Sequence, residues 1–227
     1  MTRSGVRARP RARRLPVLLL ALTSLLAACG GNGDDGGEAE QSPDECASAE
    51  APGVKDADAP PKPTAPLDPG QTHRLVFDTT CGEFTVELDP EQAPQATASL
   101  VSLARSGYFD GTLFHRVVPG FVIQGGDPTG TGSGGPGYST EDRPAAETQY
   151  TEGVVAMAKT QTEPPGTAGS QFFVVTAADA GLPPEYAVVG RVAEGMDTVR
   201  RIEALGDAQT QQPFRPILIE KVTVESE

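Results

Sequence analysis

Histidine and cysteine, the types most used for metal binding and nucleophilic chemistry, are scarce in this chain. His73 and His115 are its only histidines, and Cys29, Cys46 and Cys81 its only cysteines. That set cannot supply a Cys/His zinc site of the usual spacing, so no metal is expected. Ser170, in Gly169-Ser170-Gln171, lacks the flanks of a nucleophile elbow and reads as structural. Gly130-Thr131-Gly132-Ser133-Gly134-Gly135 formally fits GxGxxG. A dinucleotide site needs a helix to open there, and Pro136-Gly137 follows instead, so the glycines read as a tight loop and no cofactor is expected. Arg116 alone would be a solvated surface arginine. Phe121, Met157, Phe173 and Leu182 alone would be ordinary core. By residue type alone, none of these, nor Gln124, marks a site.

Residues 114–127 read Phe-His-Arg-Val-Val-Pro-Gly-Phe-Val-Ile-Gln-Gly-Gly-Asp. This stretch resembles the signature of the cyclophilin-type peptidyl-prolyl cis-trans isomerases. Gly169-Ser170-Gln171-Phe172-Phe173, Gly153-Val154-Val155-Ala156-Met157-Ala158 and the glycine-rich run Gly130–Tyr138 are similar to further blocks of the family, in the same order, so the resemblance covers roughly residues 73–224. It implies the family fold, an eight-stranded antiparallel β-barrel closed at each end by a helix. It also implies roles. Arg116 would be the catalytic guanidinium, with Gln124 holding it or a substrate carbonyl. Phe121, Met157, Phe173 and Leu182 would form the apolar floor for a proline ring, with Gln171 as a polar neighbour. Tyr186 stands where the family commonly has a histidine, and Lys159 where it commonly has an asparagine whose backbone holds the peptide. Gly181 stands where a tryptophan is common, a departure that bears on cyclosporin binding more than on catalysis.

The implied chemistry needs no nucleophile, metal or cofactor. An X-Pro amide rotates over a barrier of about 18–20 kcal/mol set by resonance between nitrogen and carbonyl. Uncatalysed exchange takes tens to hundreds of seconds. Rotation localises a lone pair on the prolyl nitrogen, so a fixed guanidinium aimed there binds the twisted state better than either planar one. No proton is transferred, and His115 therefore reads as a packing or hydrogen-bonding residue. A Pro-peptide-binding chaperone or assembly module with little turnover is the alternative; a pure binder has no need of Arg116. A solute-binding lipoprotein would need two α/β lobes, which the folded length does not provide.

The elements that must position these residues are short. Phe84, Val86 and Leu88 alternate with Glu83, Thr85 and Glu87, the period of a half-buried strand, and Thr79–Gly82 turns it back on Leu75–Phe77. Residues 92–106 carry Pro94 early, Leu100, Leu103 and Ala104 at helical spacing, and Gly107 just past the end, which predicts a helix. Met196–Leu205 predicts a second, and Ile217–Val224 a closing strand. Many short strands with two helices predict a mainly β fold, a closed antiparallel barrel or a sandwich, in agreement with the family fold.

The N-terminal third reads differently. Residues 1–14 are arginine-rich, and residues 15–28 are apolar and uncharged but too short for an ordinary membrane span. Leu26-Ala27-Ala28-Cys29 resembles a bacterial lipobox. The reading is a lipoprotein signal peptide over 1–28, a lipidated Cys29 opening a disordered Gly/Pro/acidic linker over 29–71, and an isomerase domain over 72–227. The chain is then exported and held by lipid alone at the outer face of the bacterial cytoplasmic membrane. Cys46 and Cys81 form an even pair in an oxidising compartment, where a disulfide is possible. The formal net charge of −13, more acidic still once the leader's arginines are removed, argues against nucleic acid and against docking on anionic lipid. The expected partners are Pro-containing polypeptides, and a monomer is expected.

Overall fold

The computed structural model describes residues 46–55 and 58–227. The leader 1–28 and the lipidation candidate Cys29 lie outside the described residues. The strands are β1 (His73–Thr79), β2 (Gly82–Leu88), β3 (Thr112–Leu113), β4 (Arg116–Val118), β5 (Val122–Gly125), β6 (Thr140–Glu141), β7 (Val154–Met157), β8 (Thr167–Ala168), β9 (Phe172–Val175), β10 (Val188–Glu194) and β11 (Leu218–Ser226). The helices are α1 (Pro94–Arg105) and α2 (Met196–Ala204).

The fold is mainly β with two helices, as the sequence predicts, but the closed eight-stranded barrel is not what forms. Nine strands make one antiparallel sheet in the order β3-β11-β1-β2-β10-β7-β9-β5-β4, an open half-barrel, and β6 and β8 pair separately. The edge strands β3 and β4 are consecutive in the chain, with only Phe114 and His115 between them. A ladder between them would require the chain to reverse. Instead it turns a corner on the fully buried Phe114. Leu113 pairs with Leu218 of β11 on one side, Val117 with Ile123 of β5 on the other, and an isolated bridge joins Leu113 to Asp127, just past the end of β5.

Period-two alternation divides the apolar residues between two cores. Val155, Met157, Phe172, Val174 and Ile123 face the interior cluster, together with Phe77 and Phe84, whose rings stack with centroids 4.8 Å apart. Val154, Ala156, Phe173, Val175 and Val122 face the other way, into a smaller cluster. Strands β7 and β9 are thus buried on both faces, which is why they read as unbroken apolar runs. α1 packs against β11, and α2 against β2, β4 and β5.

The described part of the expected disordered linker lies against the domain. Residues 46–55 and 58–70 have no regular secondary structure, yet they are held at named points. A disulfide joins Cys46 to Cys81 at the β1–β2 turn, and Ala47 N–H donates to Thr80 O at 2.6 Å. The Lys55 ammonium donates to the carbonyls of Gly107, Tyr108 and Asp110 at 2.8, 3.2 and 2.7 Å, and Lys62 Nζ to Ser139 O at 2.9 Å. The composition is that of a spacer; the disulfide and these ammonium bonds add to the small apolar contact that Ala59 and Leu67 make with the core. Among the described residues no helix is long and apolar enough to cross a membrane.

Candidate functional site

Register builds the site. Arg116 on β4 pairs with Gln124 on β5, Gln124 with Phe173 on β9, Phe173 with Ala156 on β7, and Ala156 with Val188 on β10. These five side chains form one row across the outer face of the sheet, with neighbouring strands about 4.8 Å apart. The row is polar at the β4 edge and apolar beyond it. Phe121, Leu182 and Tyr186, all half-buried, pack against its apolar part, with Val122 and Val175 beneath. The result is an apolar floor with a guanidinium at one end.

Met157 is not part of that floor. It was expected there with Phe121, Phe173 and Leu182, but it lies one residue out of phase with Ala156 and is fully buried in the interior cluster. Val122, which the sequence reading passes over, occupies the outer face instead.

The polar end is a chain of amides. Arg116 Nη1 donates to Gln124 Oε1 at 3.4 Å, Gln124 Nε2 to Gln171 Oε1 at 3.0 Å, and Gln171 Nε2 to the carbonyl of Gly134 at 3.0 Å. Arg116 Nε donates to Gln211 Oε1 at 2.9 Å, and the guanidinium carbon stands 5.7 Å from the Phe121 ring centroid. Partial burial lowers the Arg116 pKa from the usual arginine value. Its guanidinium still holds its charge at neutral pH. Two of its five N–H groups are engaged, so the rest remain for a ligand.

The glycine-rich loop ends this chain, and the buried Asp127 shapes it. Its carboxylate accepts N–H bonds from Thr129, Gly132 and Gly134 and the Thr129 hydroxyl. Burial alone would raise the Asp127 pKa, but these bonds outweigh it and hold the pKa below the usual carboxylate value. Gly134 is required by close approach, because a Cβ there would stand 2.0 Å from Asp127 Oδ1. Between this loop and the Lys159–Glu163 turn lies an open cavity of about 710 Å³, with Gln124 and Gln171 on its lining. It adjoins the apolar floor through those two residues and does not include Phe121 or Phe173.

The far wall is fixed by Tyr150 and Lys159. The buried Tyr150 hydroxyl donates to Tyr186 O at 2.7 Å and accepts from Tyr186 N at 3.0 Å, and the Tyr186 ring stands edge-on to Phe173 at 5.5 Å. The Lys159 side chain, only 2% exposed, turns into this wall: its ammonium pairs with Glu185 at 2.9 Å, bonds the carbonyls of Thr160 and Glu163, and stands 5.5 Å from the Tyr186 ring. Gly181 is exposed with open space where a Cβ would be, so the wall stops short there.

His115 adjoins Arg116 with both ring nitrogens buried and unpartnered. Burial holds its pKa below the usual histidine value, outweighing Asp127 and the nearby Leu113 backbone and Gln171 side chain, which raise it without meeting hydrogen-bond geometry. His73 bonds Ser226 and the Asp68 carbonyl at the far end of β1. Ser170 is fully buried and donates to Gly126 O at 2.7 Å. Among the described residues no group of three or more His, Cys, Asp or Glu is placed to hold a metal ion.

The domain that carries this row is similar to known proteins. A family profile described as cyclophilin type peptidyl-prolyl cis-trans isomerase/CLD matches residues 74–224. The peptidyl-prolyl cis-trans isomerase CYP18-2 of Arabidopsis thaliana is 40% identical over 152 residues, 65% of this chain and 89% of that protein. The peptidyl-prolyl cis-trans isomerase-like 1 of Gibberella zeae is 38% identical over 160 residues, 69% of this chain and 97% of that protein. Among solved structures, a cyclophilin type peptidyl-prolyl cis-trans isomerase of Cryptosporidium parvum superposes with a TM-score of 0.63 at 33% identity, covering 69% of this chain and 99% of that one. The same protein crystallised in the presence of the dipeptide Ala-Pro gives 0.62 at 34%, covering 68% of this chain and 99% of that one.

Proposed function

The chain belongs to the cyclophilin-type peptidyl-prolyl cis-trans isomerases, and from that premise we propose that Arg116 twists X-Pro amides whose proline ring rests on the Phe121–Val122–Phe173–Leu182 floor. The observation that carries this reading is the single row from Arg116 through Gln124 to Phe173. It sets the guanidinium on one sheet face with an apolar floor: the half-buried Phe121 ring stands 5.7 Å away, and Phe173 two strands away, on the order of 10 Å at strand spacing. A ring held on that floor brings its amide nitrogen toward the unengaged N–H groups of Arg116. Those donors find no lone pair on a planar amide and find one on a twisted amide, so their stabilisation falls on the transition state. Gln124 keeps the guanidinium in place, and Gln171 and the carbonyl of Gly134 keep Gln124 in place. That a relative was crystallised in the presence of Ala-Pro supports a proline-bearing ligand for this groove.

The substrates we propose are exported or unfolding chains, met at the outer face of the bacterial cytoplasmic membrane by an enzyme anchored through Cys29. The arginine-rich leader, the apolar run and Leu26-Ala27-Ala28-Cys29 support this, and a Cys46–Cys81 disulfide suits an oxidising compartment. The family match begins at residue 74 and does not touch the leader. Mass spectrometry of the protein from a bacterial host checks the anchor: an N-terminus at a diacylated Cys29 supports it, and an unmodified Cys29 overturns it.

Exchange of an Ala-Pro peptide measured by NMR tests the mechanism. Arg116→Ala is expected to lower kcat/KM by about 10²–10³-fold with the fold intact. An unchanged rate would remove Arg116 from the mechanism. Peptide binding without turnover in the wild type would favour a chaperone-like module.

A further inference from the structure

We infer that Gln211 is a positioning residue for Arg116, and that its left-handed backbone is retained for that purpose; the inference rests on the catalytic role proposed for Arg116. Gln211 is the single non-glycine with positive φ, at 60°, among the described residues. Glycine, or failing that asparagine, is what such a turn ordinarily selects, since a longer side chain is strained there. Gln211 is exposed, so core packing does not hold it in that conformation.

Its bonds supply the reason. Gln211 Oε1 accepts from Arg116 Nε at 2.9 Å, a shorter bond than the 3.4 Å one from Nη1 to Gln124. Its main-chain carbonyl accepts from Val117 N–H at 2.9 Å. β4 is an edge strand, and this contact takes up a donor on its unpaired side. One residue therefore grips both the guanidinium and the strand that carries it.

The loop that presents Gln211 is tied to itself and to β4. Gln211 N–H donates to Asp207 O at 2.7 Å, Asp207 N–H to Gln212 O at 2.9 Å, and Asp207 Oδ1 accepts from the N–H groups of Gln209 and Thr210. Gly206 pairs with Pro213 at its base, where a Cβ on Gly206 would meet Val117 at 2.7 Å. The loop thus sits flush on β4. Bonds from Gln211 and Gln124 reach the guanidinium at Nε and Nη1, fixing its plane and leaving Nη2 without a bond within the described residues.

Gln211→Gly separates this role from a structural one. Glycine relieves the backbone and removes the amide, so the melting temperature is expected to hold or rise. In the full-length chain kcat should fall about five- to tenfold with KM unchanged, as for a misplaced catalytic group. Gln211→Met keeps the strained backbone and the side-chain length without an acceptor, and should lose kcat equally. Gln211→Glu keeps an acceptor for Nε and should retain most of the rate. In an Arg116→Lys background, which has no Nε donor at that point, Gln211→Gly should have no further effect. Wild-type kcat in both the Gly and Met variants, a loss confined to KM, or an equal further loss in the Arg116→Lys background would each overturn the inference. A rate that is normal in Arg116→Ala would instead overturn the mechanism on which it rests.

Discussion

Alternation along β7 gives neighbouring residues opposite jobs, and mutation can read the difference. Met157 fills the interior cluster, while its neighbour Ala156 lies in the outer row, on the face where Phe121, from the turn before β5, packs half-buried. Met157→Ala leaves a cavity in a close-packed core and is expected to cost about 2–5 kcal/mol of stability. The KM of the folded fraction should not change. Phe121→Ala removes apolar surface that a proline ring would cover, and should weaken peptide affinity by about 1–2 kcal/mol with a smaller loss of stability. Paired denaturation and titration measurements check this; a raised KM in Met157→Ala would put it back in the groove. The sequence does not mark Met157 as interior because the run Val154–Met157 is apolar throughout and buried on both faces. No polar residue shows which phase faces solvent. Arg116, Gln124 and Phe173 were legible because their blocks are spaced as in a known family. Gln211 was not: it lies 95 residues from Arg116 in a polar turn of no recognisable pattern, and only the folded chain brings the two together.

Among the elements, the N-terminal strap shows where composition misleads. Apart from Val54 and Leu67 its residues are polar, small or proline, and a chain of that kind has too little apolar surface to offset its ordering entropy. Beside main-chain bonds from Ala47 and Lys55 and the packing of Ala59 and Leu67 on the core, three side-chain devices hold it: the Cys46–Cys81 disulfide, the Lys55 ammonium capping the carbonyls that follow α1, and the Lys62 bond to Ser139. None of the three changes the mean hydropathy. The strands and helices were legible because apolar periodicity records burial directly, whereas the open half-barrel depends on how β3 and β4 share a corner, which periodicity does not report. The disulfide spans a sequence separation of 35, so replacing both cysteines with serine should lower stability by about 2–4 kcal/mol through the unfolded state. The amides of residues 107–110 should exchange faster at the same time, because the Lys55 cap on this segment is no longer tethered. Denaturant titration and hydrogen exchange check both. An unchanged midpoint would mean that the segment is held without the disulfide, by its ammonium and main-chain bonds and its few apolar contacts.

For the whole molecule, acid stability sets two effects of opposite sign against each other. With a formal net charge of −13 the chain repels itself at neutral pH, and protonating surface carboxylates relieves that repulsion as pH falls. His115 and Asp127 act the other way. Burial holds the His115 pKa below its unfolded value, so the unfolded chain binds the proton first. The stability that His115 contributes is therefore fully present above about pH 6.5 and is lost as pH falls from there through its folded pKa. Hydrogen bonding to the carboxylate lowers the Asp127 pKa in the same way, and its contribution is lost only below about pH 4, as pH falls through its own folded value. Between about pH 6.5 and 5 the histidine term is expected to win locally, because surface carboxylates are still largely ionised there. His115→Phe tests this cleanly. It replaces a ring whose two nitrogens are buried without partners by one with no polar atoms, which should be neutral or stabilising at pH 8. Melting temperature should fall between pH 6.5 and 5 in the wild type and stay nearly level in the variant. Turnover per folded molecule should be flat with pH in both, since amide rotation moves no proton. The same downward slope in both proteins would mean that the buried imidazole is not the source of the acid sensitivity.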